Sequence, residues 1–307
     1  MTKQILVTHS DFDGAACAVV FKTWFPDGVY YSENYDTVDN RIRDILEDSL
    51  PDELYIADIS PQDQQVISLL TFVNQTTSCK VFLFDHHKTA MGLAEYGYAA
   101  KIDLSICGAQ LMYDWLTDNK FDYLSTPMPN LTPLSTLVWH ANDYDLWIHQ
   151  HPLSNTLNQL LRSIGFDRFV TRFTDDPSPQ LRPYEKLLIE LEQEKQDQYI
   201  QEVIEHSTEW FSDSQDRSYA LCFAEQYHSQ LGHTILEDQD LEHADYVIMV
   251  DLKNRRVGLR SRQNGVDVSE IAKAFDGGGH QAAAGFQLSP LILAQLNELL
   301  FGKDSES

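Results

Sequence analysis

The sequence has no C-x-x-C pair: Cys17, Cys79, Cys107 and Cys222 lie far apart. That spacing excludes the usual thiolate zinc site and points to reduced, buried thiols rather than a disulfide frame. No run approaches the roughly 20 apolar residues of a membrane-spanning helix. The start, "MTKQILVTHSD", lacks the charged-then-apolar build of a signal peptide. A soluble, cytoplasmic protein with no membrane partner is expected. Positive charge is scarce, with 22 Lys and Arg against 47 Asp and Glu and a formal net charge of −25. Such a balance excludes a broad basic surface that tracks long nucleic acid, so any attraction for an anion must be local. Internal repeats and low-complexity tracts are also missing.

What is present is a rhythm of short apolar runs and amphipathic stretches. At 307 residues the chain exceeds one ordinary core, so two domains are expected. "QILVTHS" (4–10), "ELYIADIS" (53–60) and "CKVFLFD" (79–85) read as strands, with "GVYYSEN" (28–34) and "AAKIDLS" (99–105) as further candidates. Helical patterns such as "GAACAVVFKTWF", "VDNRIRDILEDSL" and "GAQLMYDWLTDN" alternate with them, which predicts a parallel sheet with crossover helices. Prolines in "STPMPNLTP" (125–133) break the pattern, and residues 134–174 read as mainly helical. After "DDPSPQLRP" (175–183) a long polar helix is expected to about residue 212, joining two α/β parts: residues 1–180, a linker helix over 181–214, and a smaller part over 215–307. "SYALCFAEQ" and "ADYVIMVDLKNRRVGLRSR" read as strands, the latter turning at Lys253–Asn254, then "VSEIAKAF" as a helix; the tail "GKDSES" is expected to fray.

The acids gather at strand ends. "VTHSDFDG" carries His9, Asp11 and Asp13, "IADIS" carries Asp58, and "FDHH" carries Asp85, His86 and His87. Ligands of open parallel sheets bind beyond the carboxyl ends of the strands, so these residues converge on one edge. Bare carboxylates crowded there repel one another unless cations lie between them. Carboxylates with imidazoles and no thiolate favour manganese, magnesium or a similar ion over structural zinc. The number of acids allows two ions sharing a carboxylate, an arrangement common in phosphate-ester hydrolysis.

"HSDFDG", "ADIS", "DHHK" and "ANDYDLW", in this order, resemble the four motifs of the DHH phosphoesterases, and "LRSR" followed by "DGGGHQAAAGF" resembles the DHH-associated C-terminal domain. The resemblance implies an N-terminal parallel-sheet domain holding two divalent ions, manganese first, with magnesium or cobalt as substitutes. It implies that His9 and Asp11 hold one ion, that Asp13, His86 and Asp143 hold the other, and that Asp58 bridges both beside a nucleophilic hydroxide. Asp85 is then an orienting residue and His87 a phosphate contact. "NDYDLW" offers both Asp143 and Asp145; the expectation takes Asp143, with Asp145 as the alternative.

In the C-terminal part, Gly277, Gly278 and Gly279 let backbone N–H groups approach an anion, while Arg260 and Arg262, two apart on a strand, share one face. With His280 they form a candidate substrate anchor. His140, His149 and His151 read as structural. Tyr144 and Trp147 read first as packing residues, with base stacking as the alternative. By resemblance the chain is expected to release mononucleotides from short single-stranded oligonucleotides, and to dephosphorylate small bisphosphate nucleotides. A polyphosphatase or other phosphoanhydride hydrolase, and a nucleotide sensor without catalysis, are the alternatives. No sequence signal bears on oligomeric state.

Overall fold

The computed structural model describes residues 3–48, 50–120, 124 and 130–289. Part of the proline-rich break, residues 125–129, and the "GKDSES" tail lie outside them. The chain divides into two units after Glu190.

In the first unit, β1 (Gln4–His9), β2 (Val29–Glu33), β3 (Glu53–Ala57), β4 (Lys80–Asp85) and β5 (Ala99–Ile102) form a parallel sheet in the order β2-β1-β3-β4-β5. Side chains alternate across a strand, and both faces are apolar, so each needs a helical cover. Leu6, Tyr55 and Phe84 pack with α1 (Phe12–Trp24), α4 (Gly108–Asn119), α5 (Thr132–Asp145), α6 (Pro152–Ile164) and α7 (Phe166–Asp175). Ile5, Val7, Leu54, Ile56, Val81 and Leu83 face α2 (Val38–Asp48) and α3 (Gln64–Thr76). Strand order reverses between β1 and β3. Connections there leave the sheet on opposite sides, which opens a crevice at the strands' carboxyl ends.

The last helix of this run, α8 (Pro183–His206), crosses the division between the units. It stops six residues short of expectation. "HSTEWFS" hides a strand, and Thr208–Ser212 forms β6, at one edge of the second sheet. That sheet has the order β10-β11-β9-β8-β7-β6 and includes β7 (Ser218–Phe223), β8 (Tyr246–Asp251) and β9 (Arg256–Ser261). β7 and β8 are parallel, joined across α9 (His228–Glu237), a helix the sequence reading passed over. The glycine-rich ending is a hairpin: β10 (Gly278–His280) pairs antiparallel with β11 (Ala283–Gln287), beside α10 (Val268–Lys273). All four cysteines are free and buried.

Candidate metal centre

β1 ends at His9, and the chain turns at once into α1. Asp11 caps that helix: its Oδ1 accepts from the Gly14 N–H at 3.0 Å, leaving Oδ2 2.7 Å from His9 Nδ1. Only glycine serves at position 14, because a Cβ there would lie 2.0 Å from the His9 carbonyl oxygen. Asp13, in the first turn of α1, is buried and accepts N–H bonds from Gly108 at 2.7 Å and Ala109 at 2.9 Å. Those amides open α4, whose N-terminal partial positive charge suits a carboxylate.

Asp58 follows β3 with φ of 59°, a left-handed conformation that costs a non-glycine residue about 1–3 kcal/mol. Its N–H donates to the Phe84 carbonyl at 2.9 Å, and its side chain is fully buried. Gly108 fits against it. A Cβ at Gly108 would stand 2.8 Å from the Asp58 Cβ, so this glycine, which the sequence reading passed over, makes room for the aspartate. Asp58 Oδ1 lies 3.2 Å from His86 Nε2, and Oδ2 lies 3.9 Å from His9 Nδ1.

His86 Nε2 also stands 3.2 Å from Asp145 Oδ2 and 3.9 Å from Asp13 Oδ2. One ring nitrogen donates at most one proton, so it cannot satisfy three carboxylate oxygens. Asp58 Oδ2, Asp85 Oδ2 and Asp145 Oδ2 are indeed buried without a hydrogen-bond partner among the described residues. Burial, then the charges of Asp13 and Asp11, push the Asp58 carboxyl well above its ordinary range. Burial followed by the same two neighbours pushes Asp145 to about 7. Burial raises Asp13 and lowers His86. Shifts in this direction favour the protonated form of these acids in the absence of metal, and a divalent cation bound there would compete with those protons.

Three groups have donor atoms close enough to hold an ion: His9, Asp11 and Asp58; Asp13, His86 and Asp145; and Asp58, His86 and His87, each set lying within 4.8 Å. Asp143, the expected fourth-motif ligand, is in none of them. Its Oδ1 accepts from Gln150 N–H at 2.7 Å, and its Oδ2 accepts from Ser154 Oγ at 2.5 Å and from His151 N–H at 3.3 Å. Those bonds occupy the carboxylate, and Asp145 stands in the cluster instead. His140 is buried outside these groups, and its Nδ1 lies 2.9 Å from Ser154 Oγ.

Asp85 is buried and holds His87, with Oδ1 accepting from the His87 N–H at 3.0 Å and lying 2.8 Å from its Nδ1. That bond raises the His87 pKa. Tyr35, which the motif reading missed, packs its ring 5.6 Å from His9 and 6.0 Å from His87.

The C-terminal candidates separate. Arg262 lies one residue beyond β9, and its guanidinium is spent on the protein, donating to Ala244 O at 2.6 Å and to Leu236 O. It caps the end of α9 rather than presenting a fork to an anion. Arg260 is half-buried, bonded to Leu259 O and Ser229 Oγ, and burial lowers its pKa. Gly277 is wedged, since a Cβ would lie 2.3 Å from the Gly285 oxygen, whereas Gly278 faces open space. Gly279 needs its glycine for a φ of 139°. Gly277 and Gly278 line a cavity of about 740 Å³ with Gly258, Gly285, Arg256 and Asp251; Arg260, Arg262 and His280 are not on its wall. His280 is exposed.

Comparison with known proteins agrees with this architecture. The DHHA1 domain family matches residues 230–301. Oligoribonuclease NrnB of Bacillus subtilis (strain 168) is 28% identical over 301 residues, covering 92% of this chain and 72% of the relative. The pGpG-specific phosphodiesterase PggH of Vibrio cholerae superposes with a TM-score of 0.50 at 16% identity, covering 97% of each chain. RecJ of Thermus thermophilus, solved in complex with Mn2+, gives a TM-score of 0.54 at 13% identity over 96% of this chain and 51% of that one. The chain thus shares its fold with these proteins, and its residues 230–301 match the DHHA1 domain family.

Proposed function

We propose that the protein is a manganese-dependent phosphodiesterase that shortens small oligonucleotides to mononucleotides. The observation that carries this is the convergence of Asp13, Asp58 and Asp145 on His86, with two buried carboxylate oxygens left unpaired. NrnB and PggH, named for related activities, support the substrate class.

In this reading His9 and Asp11 would hold one ion, Asp13, His86 and Asp145 would hold a second, and Asp58 would serve both. Bound there, divalent ions would supply hydroxide near neutral pH and neutralise phosphoryl oxygens as charge builds on them. His87, its pKa raised by Asp85, is positioned to donate a hydrogen bond to a phosphate oxygen. Arg260 and His280 bind substrate phosphate away from the scissile bond. Arg260→Ala is expected to raise KM for dinucleotides about tenfold with Tm little changed, whereas Arg262→Ala lowers Tm by several degrees because two buried carbonyls lose a charged donor. Steady-state kinetics beside thermal melts read both, and the reverse pattern would move the anchor to Arg262.

The net charge of −25 sets a length preference. Each phosphate lying beyond the site adds repulsion without a basic contact, more so at low salt. Catalytic efficiency with manganese is therefore expected to peak at roughly two to five nucleotides and to decline for long strands. A length series of 5′-labelled RNA at two ionic strengths measures this. Processive, salt-insensitive decay of long strands overturns the preference; release from polyphosphate alone, or binding without turnover, overturns the activity.

A further inference from the structure

Trp147 is not a packing residue. It is 74% exposed, the barest of the large apolar side chains among the described residues, and lies two positions after Asp145. Its φ is 57°, and that of His149 is 53°. A bulky aromatic residue adopts this left-handed conformation only where its surroundings impose it.

Here the imposing group is Asp143. Its carbonyl accepts the N–H groups of Ile148 at 3.0 Å and His149 at 3.1 Å, while its buried carboxylate accepts those of Gln150 and His151. The Trp147 N–H is bound to Tyr144 O at 3.1 Å. One aspartate therefore fixes the whole loop from Ile148 to His151. The indole is braced from the side as well, its ring centre 4.3 Å from that of His149 and 6.2 Å from that of Tyr144, both edge-on. Tyr144 is in turn tied to α6 by the Asn158 side chain, which donates to its hydroxyl at 2.7 Å.

Strain, a dedicated anchor and edge-on bracing that leaves an aromatic face bare serve no folding purpose, since burying the same ring would stabilise the unit. The Cα atoms of Asp145 and Trp147 lie within about 7 Å of each other, and the Tyr144 ring that braces the indole lies 6.0 Å from that of Phe12, the residue between Asp11 and Asp13.

We propose that Trp147 is the stacking platform for the nucleobase attached to the phosphate held at the metal centre, and that it makes the site select nucleotides over base-free phosphates. The inference rests on the proposed phosphodiesterase reading. Stacking of a base on an aromatic ring is worth about 1–3 kcal/mol, or roughly five- to hundredfold in affinity.

The test pairs the ring with the base. Wild type, Trp147→Ala and Trp147→Phe are each assayed with manganese on an adenine dinucleotide and on its abasic analogue. Wild type is expected to favour the intact substrate by at least about tenfold in kcat/KM, mostly through KM; Trp147→Ala loses most of that preference and Trp147→Phe keeps most of it. An unchanged preference in Trp147→Ala, or equal losses on both substrates, overturns the inference, the latter by reducing Trp147 to loop support. A second readout needs no turnover. Titrating adenosine 5′-monophosphate with manganese is expected to quench indole fluorescence in wild type and to do so far less in Trp147→Phe. Equal quenching in both overturns the proposal. Quenching that depends on Trp147 in a protein that cleaves no dinucleotide leaves the platform standing and removes the phosphodiesterase reading.

Discussion

Asp58→Asn is expected to abolish turnover on every substrate, by about a hundredfold or more, since in the proposed reading a shared carboxylate would contribute to both ion positions, whose transition-state stabilisation would be worth several kcal/mol. The same variant is expected to melt higher than wild type when metal is chelated. Burial raises the Asp58 carboxyl in the folded state, so the folded protein binds more protons than the unfolded chain above the ordinary carboxylate range. Stability then falls as pH rises, because its slope follows the protons bound unfolded minus those bound folded. Metal-free wild type should therefore lose Tm as pH rises above the ordinary carboxylate range, on the order of several degrees, with manganese restoring it, while Asp58→Asn shows a flatter profile. Asparagine tolerates the left-handed backbone that position 58 requires, so the fold should survive. Melts with and without chelator, beside an activity assay, decide the matter; a folded variant that retains substantial turnover refutes the shared role.

The second large effect separates two aspartates two residues apart. Asp145→Asn is expected to weaken manganese binding by about a hundredfold and to reduce turnover in parallel, with Tm in chelator unchanged or raised. Asp143→Asn should do the opposite. It weakens a set of buried, charge-assisted bonds to Gln150, His151 and Ser154, costing about 3 kcal/mol and several degrees of Tm, while manganese affinity stays within about tenfold. Titration of manganese by calorimetry, with melts on the same samples, reads both. Weak metal binding in Asp143→Asn with an unchanged melt would return that residue to the centre.

That the sequence pointed to Asp143 while Asp145 stands in the cluster has a physical reason. Residues two apart near a helix end point to nearly opposite sides, and the string "NDYDLW" carries no record of which side meets the sheet edge. The decision lies in the loop that follows, whose amides claim Asp143. That His9, Asp11, Asp13, Asp58 and His86 come together could be read from the sequence because each ends or follows a strand of a parallel sheet, where order along the chain translates into a common edge. The strand pattern gives Arg260 and Arg262 the same face and carries no sign that the Arg262 guanidinium is bonded to the carbonyls of Ala244 and Leu236, which come from elsewhere in the chain. The strand Thr208–Ser212 was hidden by the long helical pattern before it, and α9 by a central glycine and flanking histidines that weaken its signal. Gly108 bears no chemistry at all. Its importance is a distance to Asp58, which becomes visible only once two segments far apart in the chain are brought together.

That contact also bears on any attempt to move this centre elsewhere. Grafting the acids and imidazoles onto another parallel sheet would transfer the donors and leave out the clearance they need. At Gly14 and Gly108 the recipient must supply an emptiness the width of a methyl group, one against the His9 carbonyl and one against Asp58. The blueprint of the centre thus includes two positions whose contribution is the volume they do not fill.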